Sequence, residues 1–338
     1  MTQECKVHVA NRRWRGLWAL VLVASLLGGC TALPDTRGFT VATIQLKEAM
    51  GTAGEVVKAE VASARSADAI ALGDASARKL DAAWSATMTS LDAMVTYAQS
   101  IEQIVDSGNR GAESARKVAD SVKRLLDTVK IDATTGASAA VAGLAADTAA
   151  FVYGEYAKHV AAQSLEESLI KFGPSLVQIT ALINAQVADA RSLFVVQIET
   201  QVEHLRSGNL YGDWIKRNDE LGKQQKSATL QLLNLTSAGP ARQPAKINEL
   251  KAQVAQLDLV QRQIAPHMNE YNEKLEAIRR REKAGLSVIG AAENALATWG
   301  ATQSQLALAV KERKPVNVDS LIAAVAEVRT LTQRWREL

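Results

Sequence analysis

From Ile247 to Val310 the chain repeats alternating steps of three and four residues. The positions are Ile247, Leu250, Val254, Leu257, Gln261, Ile264, Met268, Tyr271, Leu275, Ile278, Glu282, Gly285, Ile289, Ala292, Leu296, Trp299, Gln303, Leu306 and Val310. Fifteen of these nineteen are apolar; Gln261, Glu282, Gly285 and Gln303 are not. A seven-residue repeat held in phase this long places one apolar seam along one helix, and such a seam is buried by a second helix laid beside it. At ~1.5 Å per residue the segment spans roughly 95 Å. Pro266 falls inside it, where proline removes a backbone donor and crowds the preceding turn, so a kink is expected near Ala265 with the phase kept across it.

The natural partner precedes it. Pro174 suits the first turn of a helix, and a stripe follows through Leu176, Ile179, Ile183, Val187, Ala190, Phe194, Ile198, Val202 and Leu205. "SGNLYG" at 207–212 interrupts this stripe, and the helix resumes through Trp214, Leu221 and Leu230. "SAGPARQPAK" at 237–246 holds two prolines and a glycine and reads as a loop. Two long helices joined by a short loop pack antiparallel. The spacing therefore predicts a long hairpin over 174–338, completed by a last helix from Asp319 to Leu338 after "KERKPVN" at 311–317.

The rest of the chain is helical in pattern too, rich in alanine, glutamine, leucine, lysine and glutamate. A first helix is expected over about Val41–Ala64. A second is expected to begin after Gly73-Asp74, with Asp74 as its cap, and to carry Leu80, Trp84, Met88, Leu91, Val95, Ala98, Ile101 and Val105 on one face. "DSGNRG" at 106–111 ends it, and a third helix carries Val118, Val122, Leu125 and Val129. Residues 133–154 hold one charge, Asp147, and small residues four apart at Gly136/Ala140 and Ala139/Gly143. Such faces let helix backbones approach closely, so a tightly packed buried helix is expected here. No stretch alternates as a strand would. The fold class expected is all-α: an alanine-rich bundle over 41–172 and an elongated, coiled-coil-like antiparallel hairpin over 174–338.

The amino-terminal end carries a different signal. Leu17 to Leu27 is an apolar run too short to span a bilayer comfortably. Arg12, Arg13 and Arg15 precede it, and Gly28, Gly29 and Cys30 follow. This basic, apolar, small-residue order is that of a secretory signal peptide. Leu27-Gly28-Gly29-Cys30 resembles the lipobox of bacterial lipoproteins. The resemblance implies that residues 1–29 are cleaved, that Cys30 is the lipidation site and that 30–40 form the anchor and a polar tether. Thr31 stands where enterobacterial lipoproteins kept at the inner membrane tend to have aspartate, so the outer membrane is the implied address, facing the periplasm or the cell surface.

Charge and cysteine usage bound the function further. The chain has 39 basic and 36 acidic residues; residues 1–29 hold four of the former (Lys6, Arg12, Arg13, Arg15) and one of the latter (Glu4), leaving 35 of each. A neutral chain has no overall electrostatic pull on nucleic acid. The two cysteines are Cys5 and Cys30, so residues 31–338 have no disulfide and depend on an apolar core. Of His159, His204 and His267, none has a glutamate three residues before it, and the ligand spacing of di-iron bundles is missing. Glu155 and His159 share a helix face, as a surface contact. No metal-protease, hydrolase or phosphate-loop motif occurs. Arg279-Arg280-Arg281, flanked by Glu276 and Glu282, reads as helix-surface ion pairing. Trp84, Trp299, Phe194 and Tyr271 lie on apolar stripes as core residues, whereas Trp214 beside Tyr211 is expected at an exposed contact.

These features point away from an enzyme and assign no catalytic, metal or cofactor-binding residue, no cofactor and no small-molecule substrate. They predict a lipid-anchored envelope interaction or scaffold protein, whose helical surfaces bind a protein partner or a second copy. The alternative is a membrane-active helical protein resembling a pore-forming toxin component, with 133–154 as the insertion element.

Overall fold

The computed structural model describes residues 35–63, 70–108, 111–135, 138–208, 211–237 and 243–338. Among them are nine helices: α1 (Arg37–Ser63), α2 (Ile70–Asp106), α3 (Ala112–Thr135), α4 (Ala139–His159), α5 (Leu165–Lys171), α6 (Gly173–Ser207), α7 (Gly212–Ser237), α8 (Pro244–Glu312) and α9 (Asp319–Arg336). The fold is an all-α bundle, and the described residues contain no strand.

The seam read from the sequence runs the whole length of α8, and every one of its positions is buried or half-buried. The helix is 69 residues long and continues through Pro266, giving a rod of roughly 100 Å. Pro266 and Arg262, whose carbonyl loses its helical donor, are both exposed. Three of the four polar or small seam positions have a role in packing. Gln303 Nε2 donates to the buried Tyr97 hydroxyl at 2.8 Å. Glu282 pairs with Arg279 one turn before it. Gly285 admits Phe194 and Trp335; a Cβ there would lie 2.5 Å from Phe194 Cζ and 2.9 Å from Trp335 Cη2.

Helices α6 and α7 together form the second arm, antiparallel to α8. Thr180 faces Gly300, Arg191 bonds Glu293, Glu199 bonds Arg279, Trp214 stacks on His267 and Gln225 bonds Asp258. As numbers rise along one arm they fall along the other, so the break at residues 208–211 does not change the register.

The two halves of this hairpin differ. Beside α6, the second half of α8 joins α1–α5 and α9 in one continuous core that reaches from Phe39 to Trp335. The bundle therefore extends beyond the expected 41–172 and takes in most of α6 and α9. Beside α7, the first half of α8 leaves this core and stands as a two-helix stalk. Its buried side chains are Ile247, Leu250, Leu257, Ile264 and Tyr271 from α8, with Ala228 from α7.

Helix α1 runs antiparallel to α2, with Thr40 bonded to the Ala98 carbonyl and Lys58 paired with Asp81. It runs parallel to α9, since Glu48 pairs with Arg329 and Glu55 with Arg336. At the centre Gln186 of α6 links two neighbours: it accepts from Ser90 at 3.2 Å and donates to the Val129 carbonyl at 3.4 Å. Buried polar groups paired in this way cost little and fix one helix register.

Four expectations need correction. Helix α2 starts at Ile70, so Gly73 and Asp74 lie within its first turns and not ahead of its start, where a cap would stand. One internal glycine costs ~1 kcal/mol, and the long apolar face beyond it outweighs that. The tether is shorter than 30–40, because Phe39 is fully buried with its ring 5.5 Å from Trp299. Leu230 is not on the inner stripe of α7; Ala228, seven residues after Leu221, is buried there instead. Helix α4 buries Val141, Ala145, Thr148, Ala149 and Val152, while Ala139, Ala140 and Gly143 face solvent. Within the described residues, the small side chains four apart therefore lie on its outer face, and a Cβ at Gly143 would meet nothing within 4 Å.

Candidate interaction surface

Cys30 and the rest of the lipobox lie outside the described residues. The other residues singled out in the sequence can be placed. Trp84, Trp299, Phe194 and Tyr271 are core residues. His159 Nε2 lies 3.1 Å from Glu155 Oε2, whose other oxygen takes Lys158, and its ring meets Phe172 edge-on. The described residues contain no group of three His, Cys, Asp or Glu able to hold a metal ion. Each arginine of the basic run has an acidic partner: Arg279 has Glu199 and Glu282, Arg280 has Glu276, and Arg281 has Glu60. The run is a set of ion pairs that tie α8 to α6 and α1, leaving no open anion site.

The expected exposed pair, Tyr211 and Trp214, lies instead at the joint between bundle and stalk. Tyr211 is buried; its hydroxyl donates to Glu270 at 2.6 Å and accepts from Lys274 Nζ at 2.7 Å. The Tyr211 hydroxyl and Lys274 together hold the Glu270 carboxyl below its ordinary pKa. Trp214 is half-buried and stacks on His267 with ring centroids 4.3 Å apart and planes 13° from parallel. The aromatic cluster restores packing where the second arm breaks, so it braces the stalk.

The chain direction puts the two ends of the molecule far apart. The described chain begins beside the carboxyl end of α8: Arg37 reaches Glu102 and Asp106 at 3.8 and 3.7 Å, and Gly38 lies against Val318. The stalk ends at the other extremity of α8, where α7 stops at Ser237 and α8 begins at Pro244. There Leu230 and Leu233 are 51% and 60% exposed, pointing away from α8. Nothing in the sequence pattern alone separates these outward leucines from the inward Leu232 and Leu235; the distinction depends on where α8 lies.

Among the described residues, one helix, α6, is long and apolar enough to cross a membrane. Leu176, Ile179, Leu182, Ile183, Val187, Phe194 and Ile198 of this helix are buried in the bundle, whereas Val177 and Val196 face outward. Comparison with protein-family models, with curated proteins and with solved structures gives no match for this chain.

Proposed function

We propose that this chain is an envelope lipoprotein, held at the outer membrane through Cys30, that uses its helical stalk to present an interaction surface far from its point of attachment. The observation that carries the reading is the placement of the two ends: residue 35 starts at one extremity of α8 and the stalk tip lies at the other. An anchor at Cys30 is five residues from the described fold, a reach of at most ~18 Å. The stalk tip would then stand roughly 100 Å from the anchored end. A protein partner or a second copy would be met along the stalk, where the outer face of α7, with Leu230 and Leu233 on it, is accessible.

Labelled palmitate tests the anchor: incorporation into the wild type and its loss in Cys30→Ala are expected, and label kept by the variant refutes it. Crosslinking in the native cell from the outer face of α7 tests the surface. A discrete crosslinked species is expected, and none from any stalk position refutes the reading.

A second reading rests on the outer face of α4, where Ala139, Ala140, Gly143, Ala146, Ala150 and Phe151 are exposed. As a membrane-active element it would have to carry Asp147, exposed on the same face, at considerable cost in a bilayer. Dye release from vesicles that is abolished by Ala140→Glu and Gly143→Glu is the result expected of that reading.

A further inference from the structure

We infer that the outer side of the α6–α8 pair is a self-association face, covered by a second copy of this chain turned end for end. Residues 172–188, along α6, and 294–310, along α8, hold no charged side chain, seventeen residues in each arm. The two stretches lie side by side, since Thr180 faces Gly300. Helix α2 closes their inner side, where Ser90 bonds Gln186 and Tyr97 bonds Gln303. Their exposed residues occupy the outer side. Val177 and Leu308 are 50% and 53% exposed there, with Pro174, Ala181, Ala297 and Ala301 also in the open. Helix α4 does not cover this strip. It meets α6 at Asp189, which accepts from the Ser138 N–H at 2.9 Å, and a step of nine residues from Thr180 puts that contact on the flank of α6 opposite α8.

The face is large enough for a dimer. Seventeen helical residues run about 25 Å, and two adjacent helices present a strip about 20 Å wide. Covering it in two copies buries about 1,000 Å² in total, the area at which specific association begins. Monomeric proteins rarely leave a patch of this kind open.

The charges that bound the face select the occupant and its direction. Lys171 and Lys311 close the two stretches at one end, and Asp189 and Glu293 close them at the other. Lys171 pairs with Glu167 and Glu293 with Arg191, while Lys311 and Asp189 have no ion pair among the described residues. Two copies placed face to face on a twofold axis lie either parallel or antiparallel. Parallel copies set lysine end on lysine end. Antiparallel copies set the lysine end of each over the acidic end of the other. The registers agree, because residues 171 and 189 are equidistant from Thr180, and residues 293 and 311 from Thr302. The face offers no charge of its own to a foreign partner, whereas its two ends complement each other. The antiparallel pair overlaps only at the carboxyl halves of the rods, so it is roughly 170 Å long against roughly 100 Å for one chain. Residue 35 of each copy lies near its middle and the stalk tips lie at its extremities. The inference does not depend on the anchor.

The test uses the full-length protein in mild detergent. Sedimentation equilibrium is expected to give twice the chain mass, and electron micrographs rods of roughly 170 Å. Val177→Glu/Leu308→Glu should raise the dissociation constant about tenfold or more, and Lys311→Glu should raise it too. Val177 and Leu308 are half exposed, so the circular dichroism spectrum and urea midpoint of the double variant should not change. Oxidation of Ala181→Cys is expected to give a disulfide-linked dimer, because residue 181 adjoins the axis. Gln224→Cys, on the stalk, should give none above the background set by wild type, which keeps Cys30. A single-chain mass for wild type, a dimer that keeps its affinity in the double variant, or a dimer no longer than one chain overturns the inference. A monomeric wild type that binds uncharged vesicles, and loses them in the double variant, overturns it in favour of a lipid surface.

Discussion

Gly54 of α1 faces Trp84 of α2 more closely than any larger residue could. A Cβ built at Gly54 would lie 1.8 Å from Trp84 Nε1, 2.3 Å from Cε2 and 2.5 Å from Cδ1. Ordinary carbon contacts lie near 3.5–4.0 Å, so Gly54→Ala requires the ring or the helix to move by about 2 Å. Trp84 is 1% exposed, and the α1–α2 register is held on both sides by the Thr40–Ala98 bond and the Lys58–Asp81 pair. Alanine favours the helix by ~1 kcal/mol. Overpacking opposes it by ~1–3 kcal/mol, and expelling the indole would forfeit about 200 Å² of burial, or ~5 kcal/mol. The net expectation is a loss of up to about 2 kcal/mol if the ring stays and the strain is absorbed, and of about 4 kcal/mol if the indole is expelled. Gly143→Ala is the matched control: the same side chain enters a helix with nothing within 4 Å, and a gain of up to ~1 kcal/mol is expected. Urea unfolding followed by circular dichroism measures both. If Gly54→Ala is as stable as Gly143→Ala, the close approach of α1 to Trp84 is refuted.

Three further outcomes are expected. Trp299 Nε1 donates to Thr43 Oγ1 at 2.9 Å in the core, so Thr43→Val should cost about 1–3 kcal/mol in a urea titration by leaving a buried donor unpaired. Phe39→Ala should cost about 3–5 kcal/mol; an unchanged urea midpoint would return residue 39 to the tether. Burial lifts the pKa of Glu60 above the ordinary carboxylate range, with the Arg281 guanidinium pulling it back down. The native state then keeps a proton that the unfolded chain has released, so this group's contribution to stability falls as pH rises from about 4.5 toward the lifted value. Glu60→Gln should remove that slope, seen as a difference between wild-type and variant urea midpoints across the same interval; identical slopes would refute it.

The parts of the fold that were legible follow from one-dimensional periodicity. The α8 seam needs only a count of steps along the chain, and each of its positions is buried or half-buried. The hairpin follows from two such patterns about one loop. The paired arginines follow from acids nearby, although Glu60 and Glu199, which form ion pairs with Arg281 and Arg279, lie far away in sequence. Periodicity failed where a face is defined by a neighbour. Alanine and glycine are small enough to serve either side of α4, so their spacing does not show which side packs. Tyr211 has an aromatic ring and a polar tip, a combination that suits surface and interior alike, and it is buried because Glu270 and Lys274 supply partners for its hydroxyl. Phe39 sits in a polar stretch, and its pocket is made by Trp299, far along the chain.

The long helices, the length of the rod and the antiparallel course of its arms follow from the spacing of apolar residues relative to 3.6 per turn. Which half of that rod is covered depends instead on packing between distant elements. Helices α1, α2, α5, α6 and α9 cover the carboxyl half of α8 and leave the amino half to α7 alone. This choice sets one end of the molecule beside residue 35 and turns Leu230 and Leu233 outward at the other. Burial of a side chain is a relation between elements distant in sequence, and no local pattern encodes the partner that fulfils it.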